Sequence, residues 1–195
     1  MRSFIRCLIL CSIAALIASP ALAGGNANFV LGLRGLDKDF WEPVNGHVAF
    51  GATVDFGRKE WPIHLEAGYN ASVGYEENFL GAVDVTGTVS EVDFGVNKTW
   101  ETKGGLRPYV GGGLAALGAR YELDGPGGDI DDTDGSGGIY VHGGVYWRLG
   151  SRFNIGFDGR FLVGSDVTLF GADGDADYAQ VGMILGWGWP AGGNP

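Results

Sequence analysis

Strict alternation of apolar and polar residues recurs about eight times along this chain, and that alternation is the signature of a strand with two unlike faces. The clearest runs set Val48, Phe50, Ala52, Val54 and Phe56 against His47, Ala49, Gly51, Thr53 and Asp55, then Ile63, Leu65, Ala67, Tyr69 and Ala71 against His64, Glu66, Gly68, Asn70 and Ser72. The others read the same way. Phe29, Leu31 and Leu33 mark the first strand, Val92, Phe94 and Val96 the fourth, and Ile139, Val141, Val145, Trp147 and Leu149 the sixth. Phe153, Ile155, Phe157 and Phe161 mark the seventh, and Val181, Met183, Leu185, Trp187 and Trp189 the eighth, while a glycine-rich segment from about Leu106 to Tyr121 is the fifth.

Connections alternate in length. Gly57 to Glu60, Glu101 to Gly105 and Gly150 to Ser151 are short, whereas Leu36 to Val44, Gly74 to about Gly87, Glu122 to Gly137 and Gly164 to Asp177 are long. Outer-membrane barrels place short turns in the periplasm and long loops outside. The expected fold is all-β: an eight-stranded antiparallel up-and-down transmembrane β-barrel, its first strand rising from a periplasmic N-terminus. Trp61, Trp100, Trp147, Trp187 and Trp189 fall at the short-turn end and Trp41, with Phe40, Phe79 and Tyr121, at the long-loop end, as two aromatic girdles require. A soluble lipocalin-like barrel would show the same alternation with its oily face inward. Here the polar face is sparsely charged and rich in Gly, Ala, Asn, Ser and Thr, which suits a narrow lumen better than a solvated exterior.

The first 23 residues change the compartment. Arg2 and Arg6, an apolar run from Cys7 to Ala18, and the triplet Ala21-Leu22-Ala23 describe a secretory signal peptide. We expect cleavage after Ala23, a barrel domain over residues 24–189 and a short tail over 190–195. A lipoprotein signal does not fit, because Cys11 follows Leu8-Ile9-Leu10 with no small residue before it. Both cysteines leave with the signal, so no disulfide framework holds the exported chain. Its acidic excess makes nucleic acid an improbable partner. All 37 glycines follow residue 23 and are interleaved with large apolar residues, which is a strand pattern and not that of a linker.

The export signal, the run Arg107-Pro108-Tyr109-Val110-Gly111-Gly112-Gly113 and the terminal strand ending Gly186-Trp187-Gly188-Trp189 resemble the small porin-like outer-membrane barrels related to the OmpA transmembrane domain. That resemblance implies outer-membrane lipid and lipopolysaccharide as surroundings and the barrel assembly machinery as a partner during biogenesis; it leaves the oligomeric state open. The family finishes on a terminal aromatic residue, whereas Pro190 to Pro195 follow Trp189 here. No peptidoglycan-binding domain is expected.

The polar face carries Arg34, Asp55, His64, Glu66, Glu91, Asp93, Arg107, Arg148, Asp158 and Arg160, with His47 and His142. Charges confined in a narrow lumen need partners, so a mutually paired network that fills the barrel is expected. A β-hairpin about Gly57 to Pro62 would set Asp55 opposite His64 and His47 opposite Ser72, a register that two residues of slip would preserve face for face. A lipid-modifying enzyme is the alternative, with His47 as base and Ser72 as nucleophile. Nothing is placed to orient His47, and no histidine is followed two residues later by serine, the spacing of barrel lipid A deacylases. A narrow solute channel is a third reading. Glu122, Asp124, Asp129, Asp131, Asp132 and Asp134 invite a calcium-loop comparison, but counting back from Gly135 puts Ile130 and Val141 at ligand positions, so no EF-hand is expected. No cofactor or metal centre follows from the sequence, although weak divalent-cation binding between the acidic loops and lipopolysaccharide is compatible with it. The reading is therefore a non-enzymatic barrel serving envelope integrity or surface interaction.

Overall fold

In the computed structural model, residues 24–58 and 60–190 are described; the segment expected to be a signal peptide and residues 191–195 of the expected tail lie outside them. Eight strands close into one antiparallel barrel: β1 (Gly24–Leu36), β2 (Gly46–Gly57), β3 (His64–Phe79), β4 (Val83–Thr99), β5 (Leu106–Asp124), β6 (Ile130–Leu149), β7 (Phe153–Val163) and β10 (Tyr178–Trp189). Each barrel strand pairs with its neighbours in the chain, and β1 closes on β10 from Gly25 opposite Trp189 to Leu36 opposite Tyr178. A four-residue helix, α1 (Lys38–Trp41), lies in the first long connection, and a small hairpin, β8 (Asp166–Leu169) with β9 (Ala172–Asp175), in the last.

Closure explains the alternation. Phe29, Leu31 and Leu33 are each more than three-fifths exposed, as are Phe94, Leu114 and Val181, while Asp55, Glu66, Glu91, Asp93 and Arg160 on the opposite faces are at most 4% exposed. Water would make this an inside-out protein. An apolar outer band around a polar interior is what hydrocarbon demands, and closure leaves no unpaired strand edge within it. At the short-turn end Trp61, Trp100, Trp147 and Trp187 all turn outward.

Three expectations need correction. The β2–β3 register is slipped by two residues, with Asp55 opposite Glu66 and Ala49 opposite Ser72. Faces survive the slip, because side chains alternate with a period of two. The segments 74–87 and 122–137, read as loops, are mostly strand: β3 and β4 turn only at 80–82 and β5 and β6 only at 125–129. Above the bilayer the outward face of a strand meets water instead of lipid, so the ladder continues while the outward apolar series stops. Trp41 is no girdle residue. It is fully buried, and its indole Nε1 donates to the Asp175 carbonyl at 2.8 Å. Phe40 and Tyr121 turn inward with it.

Trp41 gets there because Asp37 caps α1, its Oδ1 accepting from the Asp39 N–H at 2.9 Å. Space below the helix is kept by Gly74, where a Cβ would come within 2.5 Å of the His47 ring and 2.6 Å of the Val44 carbonyl. The β8–β9 turn, Phe170-Gly171, has positive φ at both residues (52° and 77°), the conformation favoured in two-residue hairpin turns.

Orientation is checked by labelling. A cysteine in place of Asp129 is expected to react with an impermeant thiol reagent on intact cells, and one in place of Lys103 only after the membrane is opened. The reverse pattern would invert the topology.

Candidate functional site

Inward-facing residues of all eight strands converge in the lumen and form three tiers. Nearest the short turns, the Asn26 amide donates to both Asp55 oxygens (3.1 and 2.9 Å) and His64 Nδ1 lies 2.9 Å from Asp55 Oδ1. Arg148 donates to the side-chain oxygens of Asn26 and Asn154. Asp55 and His64 thus meet as the sequence suggests, although as diagonal rather than directly opposite residues.

The middle tier is built on His142, flanked by Glu66 Oε1 at 2.9 Å from Nε2 and Asp158 Oδ2 at 3.2 Å from Nδ1. The Tyr109 hydroxyl donates to Asp158, the Tyr140 hydroxyl to Glu66 at 3.1 Å, and the Asn97 amide to Glu66 at 3.0 Å. A cavity of about 20 Å³ remains among Asp55, Glu66, Asn70, His142 and Asp158, room for about one water.

Arg160 holds the upper tier. Its guanidinium reaches Glu91 Oε1 at 2.9 Å and Asp93 Oδ2 at 3.0 Å, donates to the Tyr178 hydroxyl at 2.8 Å, and lies 4.0 Å from the centre of the Tyr140 ring. Arg34 stacks 3.7 Å from the Tyr178 ring centre, donates to Gln180 at 2.9 Å and stands 3.9 Å from Glu91. Such cation–aromatic contacts strengthen when water is excluded.

Above these tiers the lining turns apolar. Trp41 packs with Leu36, Val89, Leu162, Tyr178 and, from the β8–β9 segment, Val167, Leu169 and Ala176. Two carboxylates tie that hairpin to β6: Asp132 accepts from the Phe170 N–H at 2.6 Å and Asp134 from the Thr168 N–H at 2.7 Å.

Asp134 lies beyond the rim, where β6 pairs with β5 alone, and its backbone donors Thr168 and Gly135 hold its carboxyl below the usual range. A depressed native value contributes stability above the ordinary carboxylate pKa and loses it as pH falls through the depressed one. Docking of the β8–β9 hairpin should therefore persist at about pH 4 and loosen only in stronger acid. Hydrogen exchange at the Thr168 and Phe170 amides reads this directly; loosening that begins at neutral pH would contradict it.

The remaining expected site residues are placed as follows. His47 Nδ1 and Ser72 Oγ are 3.0 Å apart, but both are buried on the lumen side beneath Trp41, away from lipid. Arg107 sits at the short-turn mouth and pairs with exposed Glu101 at 2.7 Å. The expected network named charged residues and left out the neutral partners that complete it, chiefly Tyr109, Tyr140, Tyr178, Asn26, Asn70, Asn97, Asn154 and Gln180, although Asn70 already stood on the polar face. Their signal was available: each has the inward parity of its strand. Among the described residues no group of His, Cys, Asp and Glu has the arrangement of a metal site.

No protein-family model matches the chain, and no curated protein matches it. Solved structures do. Ail, the attachment invasion locus protein of Yersinia pestis, in complex with the heparin analogue sucrose octasulfate, aligns over 86% of this chain and 97% of its own with a TM-score of 0.56 and 10% identity. Neisserial surface protein A aligns over 85% and 96% with a TM-score of 0.54 and 12% identity. The outer membrane protein OprG from Pseudomonas aeruginosa aligns over 87% and 95% with a TM-score of 0.53 and 12% identity. The fold is that of the small eight-stranded outer-membrane barrels.

Proposed function

We propose that this outer-membrane-type barrel is a non-enzymatic protein whose lumen is plugged by its own side chains, leaving its surface beyond the membrane to serve envelope integrity or surface interaction. The observation that carries this reading is Arg160 clamped between Glu91 and Asp93 under the Trp41 cap. A guanidinium bonded to carboxylates across a passage only eight strands wide leaves no continuous water path, and the apolar layer above it removes the polar lining a solute would need.

Residues 1–23 then act as the export signal, the barrel assembly machinery inserts residues 24–189, residues 190–195 follow as a short tail, and lipopolysaccharide surrounds the outer half. The sulfated ligand of Ail is not carried over. Stretches 37–45, 76–84, 120–134 and 164–177 hold sixteen acidic residues against two basic ones, Lys38 and Arg120, a surface that repels polyanions.

Burial of the His47–Ser72 pair in the lumen weighs against the lipid-modifying alternative, since a nucleophile must reach its substrate. Mass spectrometry of lipid A from cells with and without the protein tests this. Identical acyl patterns are expected; a changed acyl count that disappears with Ser72→Ala would establish the enzyme.

A further inference from the structure

Four strands stand clear of the barrel at the long-loop rim. Pairing of β2 with β3 ends at Val48 opposite Val73, and pairing of β6 with β7 begins only at Ile139. Beyond those points β3, β4, β5 and β6 continue as a four-stranded sheet flanked by the β8–β9 hairpin, with rungs that include Phe79 opposite Val83, Val85 opposite Leu123 and Leu123 opposite Ile130. Directly paired residues share a face, and so do residues two apart on one strand. Val85 is fully buried against the lumen side, so Val83, Leu123, Ile130 and Phe79 lie on that same concave face. They make one apolar row across four strands, standing above the Trp41 cap. Phe170, at the tip of the β8–β9 hairpin, faces the row through Tyr121, with ring centres 6.4 Å apart.

Lipid explains the exposed apolar residues of the band but not these, which lie past it. Ile130 is 55% exposed, Phe170 48% and Phe79 38%. The lip around them is acidic, with Asp132, Asp134, Asp173 and Asp175 nearest the hairpin and Asp124 and Asp129 at the β5–β6 turn. Three strand spacings give the row a width of roughly 14 Å, enough for side chains i, i+4 and i+7 of a helix, which span about 10.5 Å.

We propose that the apolar row and its acidic lip form a docking surface for a basic, amphipathic segment of another protein. The proposal rests on the surface-interaction reading above. The sign of the lip selects the occupant: anionic lipid headgroups, acidic polysaccharides and a second copy of this acidic chain are all repelled. An amphipathic basic segment satisfies the oily row and the carboxylates together.

The test uses the full barrel in zwitterionic lipid nanodiscs and three fluorescent helical peptides: one of Lys and Leu, one of equal charge made of Lys and Ser, and one of Glu and Leu. Anisotropy is read against empty nanodiscs. The Lys/Leu peptide is expected to bind in a salt-sensitive manner, at least tenfold more tightly than either of the others. Ile130→Ser and Phe170→Ser, both outside the membrane band, should each weaken it at least fivefold while keeping the heat-dependent gel shift of a folded barrel. Equal binding of the Lys/Ser peptide, preference for the Glu/Leu peptide, or unchanged affinity in both variants would overturn the proposal. Attachment of the barrel to bare zwitterionic vesicles without peptide would overturn it in favour of a lipid partner. None of these failures bears on whether the lumen conducts or lipid A is modified, so the two readings fail separately.

Discussion

Arg160→Met should cost the barrel about 3–5 kcal/mol, the range for removing one partner of a buried ion pair. The loss of charge leaves Glu91 and Asp93, neither more than 1% exposed, without the cation that bridges them, and the remaining guanidinium, Arg34, stands 3.9 Å from Glu91 alone. Methionine fills much of the arginine's volume, so the deficit is electrostatic rather than a cavity effect. Urea unfolding in lipid vesicles measures it. Adding Glu91→Gln and Asp93→Asn to Arg160→Met should restore much of the loss, because polar amides are far cheaper to bury than unpaired carboxylates. Arg120→Met is the control. Arg120 contacts Glu122 at 2.5 Å and Asp131 at 3.4 Å, but its side chain is 49% exposed, and solvent-screened pairs contribute under about 1 kcal/mol. A comparable loss in the two variants would mean that the interior is as wet as the rim.

Phe50→Arg should destabilise by about 2–4 kcal/mol, the cost of a cation at the bilayer midplane of a barrel. Phe50 lies midway along β2, 51% exposed, opposite Leu31 on one side and Ala71 on the other. Its inward neighbour Ala49 is fully buried, so Ala49→Arg should fail by crowding instead, whatever the solvent outside. Unfolding titrations in bilayers of two thicknesses separate the causes: the Phe50 penalty should change with thickness and the Ala49 penalty should not. A Phe50 variant as stable as the native barrel would remove the basis for a lipid-facing exterior.

The fold was legible where lipid touches it. Leu31, Phe50, Phe94, Phe157 and Met183 all turn outward as their parity predicts, because hydrocarbon on one side and a polar lumen on the other impose period two on the sequence. Legibility fails where that boundary condition ends. Residues 130–138 continue β6 as Asp, Thr, Gly and Ser beneath an apolar Ile130, with no oily face to mark them as strand. Register was legible only modulo two: Asp55 and His64 meet, and so do His47 and Ser72, as diagonal neighbours. Long side chains bridge a two-residue offset, so the contact is a poor witness to the register.

Within the candidate site the charged residues were legible and their coordination was not. Parity placed Arg34, Glu91, Asp93 and Arg160 in the lumen, but nothing in a linear sequence indicates that Tyr178 is the hydroxyl joining Arg160 to Glu91, since the residues come from three strands. Trp41 was misplaced because an aromatic at a loop end has two physical uses, anchoring at an interface or closing a mouth. Choosing between them required knowing that Asp175 supplies a carbonyl within reach of its indole.

Whether the lumen is plugged is read from the conductance of the purified, unmodified barrel in planar bilayers. If the proposed plug holds, the Arg160 clamp, the His142 tier and the Trp41 cap would each obstruct the passage, and a quiet membrane is expected across a range of salt and voltage. Large, reproducible openings whose amplitude grows in proportion to salt would contradict it and establish the channel in its place.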